Sequence, residues 1–499
     1  MSQIKAGAML SYAGVIFNTL AGLLYTPWMV SCIGADDYGL YTLALSVINF
    51  FLLDFGLSDS VSRFLSKYYA EGRKDLVAGF LGMTYRLYLV ITLVIAFVLL
   101  VVFLNIDAIY TGLTASQLPV FKVLFVIISL YSVVSFPFAP LNGVLISNER
   151  FVALNACNLV QKVAAVVLIV VALLLGWGVY ALVAVNALVS IVATACKFII
   201  VRVGTDARAD FSYWVAAEAK ELIGFSAWVT ITQVCSRFIF AIMPSIIAVS
   251  ANTAEVALFG LAASLEGYVY TVASALNGMF MPKVSRSLSG ADEELQHLMV
   301  RVGRIQLYII GFICICFAVL GGRFVICWMG PGYDALWPCA MLLIVPSLVE
   351  LPQLIGVTAI TASGNVKARA CIYLATALVN VALGAVLTGF LGALGGCISV
   401  CIAYFVRTFG QNVIYRRSLG IRLGSFFCET YGRWLGAGAV SIAFGLLSTL
   451  LVPFGGWVGF GVCALVMFAA YAVALWLFVL NAYEKELVLN ISPSARGRD

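Results

Sequence analysis

The sequence predicts an all-α polytopic membrane protein of about fourteen transmembrane helices, arranged as two six-helix lobes plus two extra C-terminal helices. Three observations carry that reading. Hydrophobic residues fill 63% of the 499 positions and charged residues only 10%, against about 25% charge in soluble domains. Apolar stretches long enough to cross a bilayer, about 20 residues each, follow one another with only short polar or Gly/Pro breaks. Lys and Arg gather in every second break, as cytoplasmic loops do.

In chain order the candidate spans centre near Phe17, Val47, Leu93, Val133, Ala164, Val189, Ser236, Ser264, Phe312, Leu351, Val381, Cys401, Ser441 and Val466. The first apolar segment is simply one of many, unlike a secretory signal ahead of a long soluble chain. The connections are short, so no soluble domain is expected, and all chemistry falls in the membrane or at its surfaces. Thirteen Cys with no CxxC pair lie mostly in apolar segments, where Cys behaves as a small hydrophobe. His297 is the only histidine, which argues against a histidine metal site or a catalytic triad. Neither a phosphate-binding loop nor any other cofactor motif is present, so no cofactor is expected.

The even-numbered gaps between spans hold Arg63, Lys67, Arg73 and Lys74; Arg150; Arg202, Arg208 and Lys220; Lys283, Arg286, Arg301 and Arg304; Lys367 and Arg369; and Arg416, Arg417 and Arg422. The odd gaps carry Asp36, Asp37, Asp107, Glu255 and Asp334 instead, with Arg323 and Lys122 as the exceptions. The positive-inside rule then places both termini in the cytoplasm. It also explains the net charge of +6 by topology, with no nucleic-acid partner.

Comparing the chain with itself, 40–46 (LYTLALS) matches 258–264 (LFGLAAS) at an offset of 218, opening the second and eighth spans. The turn 147–150 faces Ser363, Gly364, Asn365 and Lys367 at an offset near 216, and Pro137 and Pro140 have near counterparts in Pro352 and Gly356. An even six-span offset gives a parallel repeat, with the lobes related by a pseudo-two-fold axis along the membrane normal. The expected organisation is a lobe of residues 1–210, a second of 211–422, two further helices in 423–482 and a cytoplasmic tail, 483–499.

Four ionisable residues fall near the middle of their spans: Lys162, Arg237, Glu266 and Glu350. A charge at that depth faces protein or water rather than lipid and marks a functional site by default. At 100° per residue, Ser226, Thr230, Gln233 and Arg237 lie within about 60° of one another. Glu266, Tyr270 and Asn277 form a stripe on the eighth span, Asn155, Asn158 and Lys162 one on the fifth, and Ser11, Asn18 and Tyr25 a milder one on the first. Glu350 sits between Pro346 and Pro352, where a kink is expected.

Converging on a water-filled cavity, these faces would let Arg237 and Lys162 meet an anionic substrate, lined by Gln233, Thr230, Asn158, Asn18, Tyr270 and Asn277. Alternatively, Arg237 pairs with Glu266 as a fixed brace. Glu266 and Glu350 are candidate ion-coupling carboxylates, with a proton or sodium as the coupling ion. The Gly392–Gly396 stretch reads as a tight outer turn or a close helix contact.

Lys5-Ala6-Gly7, then 34–41 (GADDYGLY), Gly56-Leu57-Ser58 and 63–69 (RFLSKYY) resemble bacterial polysaccharide flippases. Those belong to the multidrug/oligosaccharidyl-lipid/polysaccharide exporter superfamily. The resemblance implies transfer of an undecaprenyl-pyrophosphate-linked oligosaccharide, an O-antigen or exopolysaccharide repeat unit, from the cytoplasmic to the periplasmic leaflet of a bacterial inner membrane. It implies other polysaccharide-assembly membrane proteins as partners. The physics suits such a substrate: unpaired sugar hydroxyls cost several kcal/mol each to bury, so the glycan needs a polar passage while its lipid tail stays in the bilayer. The chief rival is a cation-coupled multidrug exporter of the same architecture, favoured by midplane carboxylates. A membrane glycan polymerase or ligase would carry a long outward loop with clustered Arg, Asp or His, and no odd gap supplies one.

Overall fold

The computed structural model describes residues 3–51, 57–213, 228, 230–275, 292–362, 366–452 and 455–491. All regular structure among them is helical. Eleven of these helices have the length and apolarity to cross a membrane. One of the eleven, Lys367–Ser418, is two helices joined at Gly392, whose φ of 55° leaves the helical region. The predicted second and eighth spans are the helices Ala35–Phe51 and Thr253–Ala275, which fall outside that set of eleven. Large apolar side chains such as Leu24, Leu93, Phe97, Phe390 and Leu450 are more than half exposed along these helices. In water such surfaces would aggregate, whereas lipid is their natural solvent. This is a multi-pass membrane protein.

Leu57–Ala70 is of another kind. Its Val61, Leu65 and Tyr68 are buried, while Ser66 and Lys67 on the opposite side are exposed. That is the pattern of a helix lying along a surface.

The chain forms two compact units, Met1–Leu261 with Val366–Ala403, and Ala262–Asn365 with Tyr404–Asp499. The first unit reaches past the opening six spans because their acidic-loop end is tied to Met243–Leu261, which in turn holds the Gly392 hairpin. Thr253, buried, donates its hydroxyl to Asp36 Oδ1, and Gln117 Nε2 donates to Thr253 Oγ1 at 2.9 Å. Thr111 Oγ1 donates to Val249 O at 3.0 Å, and the Gly112 N–H to Ala248 O at 3.2 Å. A Cβ on Gly39 would lie 2.0 Å from the Thr253 carbonyl oxygen, and one on Gly260 2.5 Å from Thr42 Cγ2. Thr42 and Gly260 are counterparts at the repeat offset of 218.

The GADDYGLY segment thus has a structural task. Gly34, at φ 85°, separates two helices, Asp36 receives the Thr253 hydroxyl, and Gly39 admits the Thr253 backbone.

At the hairpin, Glu255 Oε2 accepts the Ala393 N–H at 2.7 Å, supplying an anion to the start of the returning helix. Ser399 Oγ donates to Asn380 Oδ1 at 2.9 Å, which sets the two arms side by side. At φ 55° and ψ −131° Gly392 lies outside the wells open to L-residues, and a Cβ there would sit 2.5 Å from Glu255 Oε2, so Gly392→Ala should cost about 1–3 kcal/mol and lower the unfolding midpoint of the purified protein in detergent.

Three spans are interrupted where prolines remove backbone donors. Gln117–Ser135 passes through a 3₁₀ turn, Phe136–Phe138, into Pro140–Ser147. Leu336–Ile344 passes through Ser347–Glu350 and the 3₁₀ turn Leu351–Gln353 into Leu354–Ala362, so the kink expected beside Glu350 is present. The third break separates the helix over 230–240 from Met243–Ser250, ahead of Pro244. There Asn380 Nδ2 donates to the carbonyls of Phe238 and Ile239, each at 3.0 Å. A side-chain amide thereby satisfies carbonyls that the break leaves open, as an apolar medium requires.

In the second unit, Asp292–Met329 packs against Leu423–Leu451 and Gly456–Ala474 around Leu307, Ile315, Trp434, Met467 and Tyr471. Arg304 clamps the chain end: Nε and Nη2 donate to the two Glu484 oxygens at 2.7 and 2.8 Å, and Nη2 also to Val479 O at 2.9 Å. The out-of-pattern Arg323 has a similar use, its Nη2 donating to Thr449 O at 2.8 Å. Lys122, the other exception, pairs with Asp107 at 2.7 Å.

Candidate functional site

On the helix over 230–240, Thr230 and Arg237 are half-buried and Gln233 is exposed. Thr232, Cys235 and Ile239 are buried on the opposite side, Cys235 and Ile239 against Tyr373, Ala377 and Ala403. At 100° per residue the two sets point roughly 180° apart, so the Arg237 stripe looks away from the packed core. Among the described residues no carboxylate forms an ion pair with Arg237. Its carbonyl accepts the N–H groups of Ala241 and Ile242, at 2.8 and 3.2 Å, so the guanidinium sits at the last turn before the helix break.

The other first-unit candidates are spread over two packed helices, Gln3–Ile33 and Phe151–Leu174. Lys162 and Asn18 are exposed, and Asn158 is half-buried one turn from Lys162. Asn155 has a structural partner: its amide donates to Gly7 O at 3.0 Å, at a place where a Cβ on Gly7 would lie 2.6 Å from Phe151 Cβ. Ser226 and Asn277 lie outside the described residues.

Glu266 and Glu350 come together in the second unit, through two residues absent from the sequence reading. Tyr404 donates its hydroxyl to Glu266 Oε1 at 3.0 Å, and Arg407 Nη2 donates to Glu350 Oε2. The Arg407 guanidinium lies 4.5 Å from the centre of the Tyr404 ring, within cation–π reach. Glu350, Tyr404 and Arg407 are each at most 5% exposed. Glu266 therefore meets a neutral hydroxyl, and the buried guanidinium belongs to Glu350. Tyr270 is half-buried one turn beyond Glu266.

Tyr404, Arg407, Gln411 and Tyr415 follow one another at spacings of three and four, so they share a helix face, and Tyr415 donates to Gln353 O at 3.4 Å. The same stripe criterion applied to the twelfth span would have found them. Arg407 is obscured in sequence by Arg416 and Arg417, which make it look like part of a basic loop.

A family model described as "Polysaccharide biosynthesis protein" matches residues 4–288, more than half of the chain. The chain belongs to that family. Among solved structures, a lipid II flippase MurJ in an inward closed conformation aligns with a TM-score of 0.70 at 13% identity, covering 96% of this chain and 100% of that one. An inward-facing multidrug resistance MATE transporter of the MOP superfamily aligns at 0.62 and 15% identity, covering 83% and 98%. A point mutant of the Vibrio cholerae MATE transporter VcmN gives 0.58 and 13%, covering 84% and 97%. At these identities the likeness is one of fold: this family member has the architecture of MOP-superfamily flippases and transporters. None of the curated proteins matches the sequence.

Proposed function

We propose that this protein flips an undecaprenyl-pyrophosphate-linked oligosaccharide, an O-antigen or exopolysaccharide repeat unit, from the cytoplasmic to the periplasmic leaflet of a bacterial inner membrane. The observation that carries the reading is Arg237: a cation with no ion-pairing carboxylate among the described residues, on a polar face turned from the core, beside a helix break. Broken spans in corresponding halves are where transporters of repeated architecture build their substrate sites, and a guanidinium suits a pyrophosphate. Membership of a polysaccharide biosynthesis family supports a glycan-bearing substrate.

In this reading, residues 1–210 and 211–422 are the two moving lobes, 423–482 the added helices and 483–499 a cytoplasmic tail. Both termini are cytoplasmic. The pyrophosphate meets Arg237 and Lys162, and Thr230, Gln233, Asn158, Asn18, Tyr270 and Asn277 serve the sugars. Alternating access requires that one end close while the other opens, and the Asp36–Thr253 tie is the closed outer end. Glu266, faced by a hydroxyl, is the coupling carboxylate for a proton. Ser347 and Gln353, buried on the turns around Glu350, offer oxygens of the type sodium binds. Other polysaccharide-assembly membrane proteins would receive the product.

The MATE likeness keeps one rival, a cation-coupled drug exporter. Deletion followed by lipid analysis separates the two. Flipping predicts a lipid-linked oligosaccharide accumulating in the cytoplasmic leaflet, cleared by the wild-type gene and not by Arg237→Gln protein inserted at equal level. Altered drug sensitivity without that lipid would support the exporter, and full complementation by Arg237→Gln would remove Arg237 from the site.

A further inference from the structure

A concave feature lies apart from the Arg237 stripe. It is a cavity of about 340 Å³ in the first unit, walled by Leu81, Tyr85, Leu89, Phe138, Phe198 and Phe211, with Arg202 and Arg208 in its lining. The volume falls within the ~300–1,000 Å³ of small-molecule pockets. The wall is otherwise apolar, and Leu89, Phe138, Phe198 and Phe211 are all more than a third exposed.

The segment after the helix Gly178–Gly204 builds the charged rim. The Asp210 N–H donates to Ala78 O at 2.9 Å, and a Cβ on Gly82 would lie 1.8 Å from the Asp210 carbonyl oxygen. Two glycines, Gly79 and Gly82, thus let the segment lie directly on the neighbouring helix, with the Tyr213 ring over Gly79. Arg208 caps the finished helix: Nη2 donates to Arg202 O at 2.9 Å, and Nη1 to Ala207 O at 3.1 Å and Thr205 O at 3.3 Å. Its charge offsets the negative end of that helix and is fixed at the rim. Arg202 is exposed beside it. Neither Asp206 nor Asp210 is among the lining residues, and the Asp210 carboxylate turns to Ser212, accepting its N–H at 2.8 Å and its hydroxyl at 2.6 Å.

From this pairing of an apolar groove with two guanidiniums at its basic end, we infer a binding site for an anionic phospholipid of the cytoplasmic leaflet, its acyl chain in the groove and its phosphate at Arg202 and Arg208. The charge complementarity selects the occupant. Basic pockets between membrane helices on the cytoplasmic side hold anionic headgroups, whereas a zwitterionic headgroup brings a cation to the two guanidiniums along with its phosphate.

The test uses the full-length protein in detergent and native mass spectrometry with dioleoyl phosphatidylglycerol against dioleoyl phosphatidylcholine, which share their chains. The first adduct should favour phosphatidylglycerol by about fivefold or more, the effect of one basic residue near an anionic lipid. Arg202→Gln, which leaves Arg208 in place, should lower that preference about fivefold, and Leu89→Trp, which fills the groove, should reduce adducts of both lipids. Lipid-free unfolding midpoints equal to wild type establish that the variants are folded. Equal binding of the two lipids overturns the site, as does a preference that Arg202→Gln leaves unchanged. Displacement of phosphatidylglycerol by undecaprenyl phosphate would also overturn it, assigning the groove to the isoprenoid carrier.

Discussion

Arg407→Leu protein is expected to lose about 3–5 kcal/mol of folding stability, because it strands the Glu350 carboxylate in a buried site with its partner removed. Arg407 and Glu350 are 3% and 5% exposed, so water has little access to compensate. Replacing both, as Arg407→Leu with Glu350→Leu, should recover most of the loss, since two apolar residues leave no buried charge unpaired. Chemical unfolding in detergent, followed by tryptophan fluorescence, measures both. A double variant no more stable than the single one would mean that the ion pair is not what holds this part of the unit together. Transport by the rescued variant then bears on coupling. If it still responds to the proton gradient, Glu350 is only structural and Glu266, held by Tyr404, remains the coupling carboxylate.

The second large effect is at the Asp36–Thr253 tie, which the proposed topology puts at the outer end. Thr253→Val removes the hydroxyl that Asp36 accepts, and hydrogen bonds to a charged acceptor contribute about 1.5–3 kcal/mol. If that bond exists only in the outward-closed state, its loss moves the equilibrium toward the outward-open state by roughly ten- to a hundredfold. A cysteine placed at Thr42 in a cysteine-free background, where it faces Gly260, reports the change. Its labelling by a membrane-impermeant maleimide from the periplasm should speed up by that factor. Unchanged labelling would show that the contacts around Asp36 do not gate access.

These two predictions rest on different kinds of legibility. The Asp36 region was visible as a motif, GADDYGLY, and the repeat match beginning at Leu40 pointed to its counterpart at Leu258. Nothing in either segment says that Thr42 and Gly260 touch, since a contact between residues far apart in the chain depends on how the helices pack. Glu350 was visible because prolines flank it and because a carboxylate in an apolar segment is costly. Its partner was not, as Arg407 precedes the basic pair Arg416 and Arg417 and reads as the start of their loop. The suggested brace between Arg237 and Glu266 illustrates the same limit. Both residues stood out by depth, but depth leaves the azimuth of each helix open, and Glu266 is matched by Tyr404.

Solvent and backbone constraints explain what the sequence determined by itself. A chain with 63% hydrophobic and 10% charged residues must satisfy its backbone internally in lipid, so helices follow. The alternation of basic gaps predicts their orientation, and Pro346 and Pro352 mark the break beside Glu350. Tertiary structure alone decided which polar groups meet. It assigned Arg407 to Glu350, Tyr404 to Glu266 and Thr253 to Asp36, and left Arg237 on a face turned from the core. The physical reason is that a costly buried charge announces only its need for a partner, whereas the partner's identity depends on helix rotation and packing. The expensive residues could be named from the chain, but their solutions required the fold.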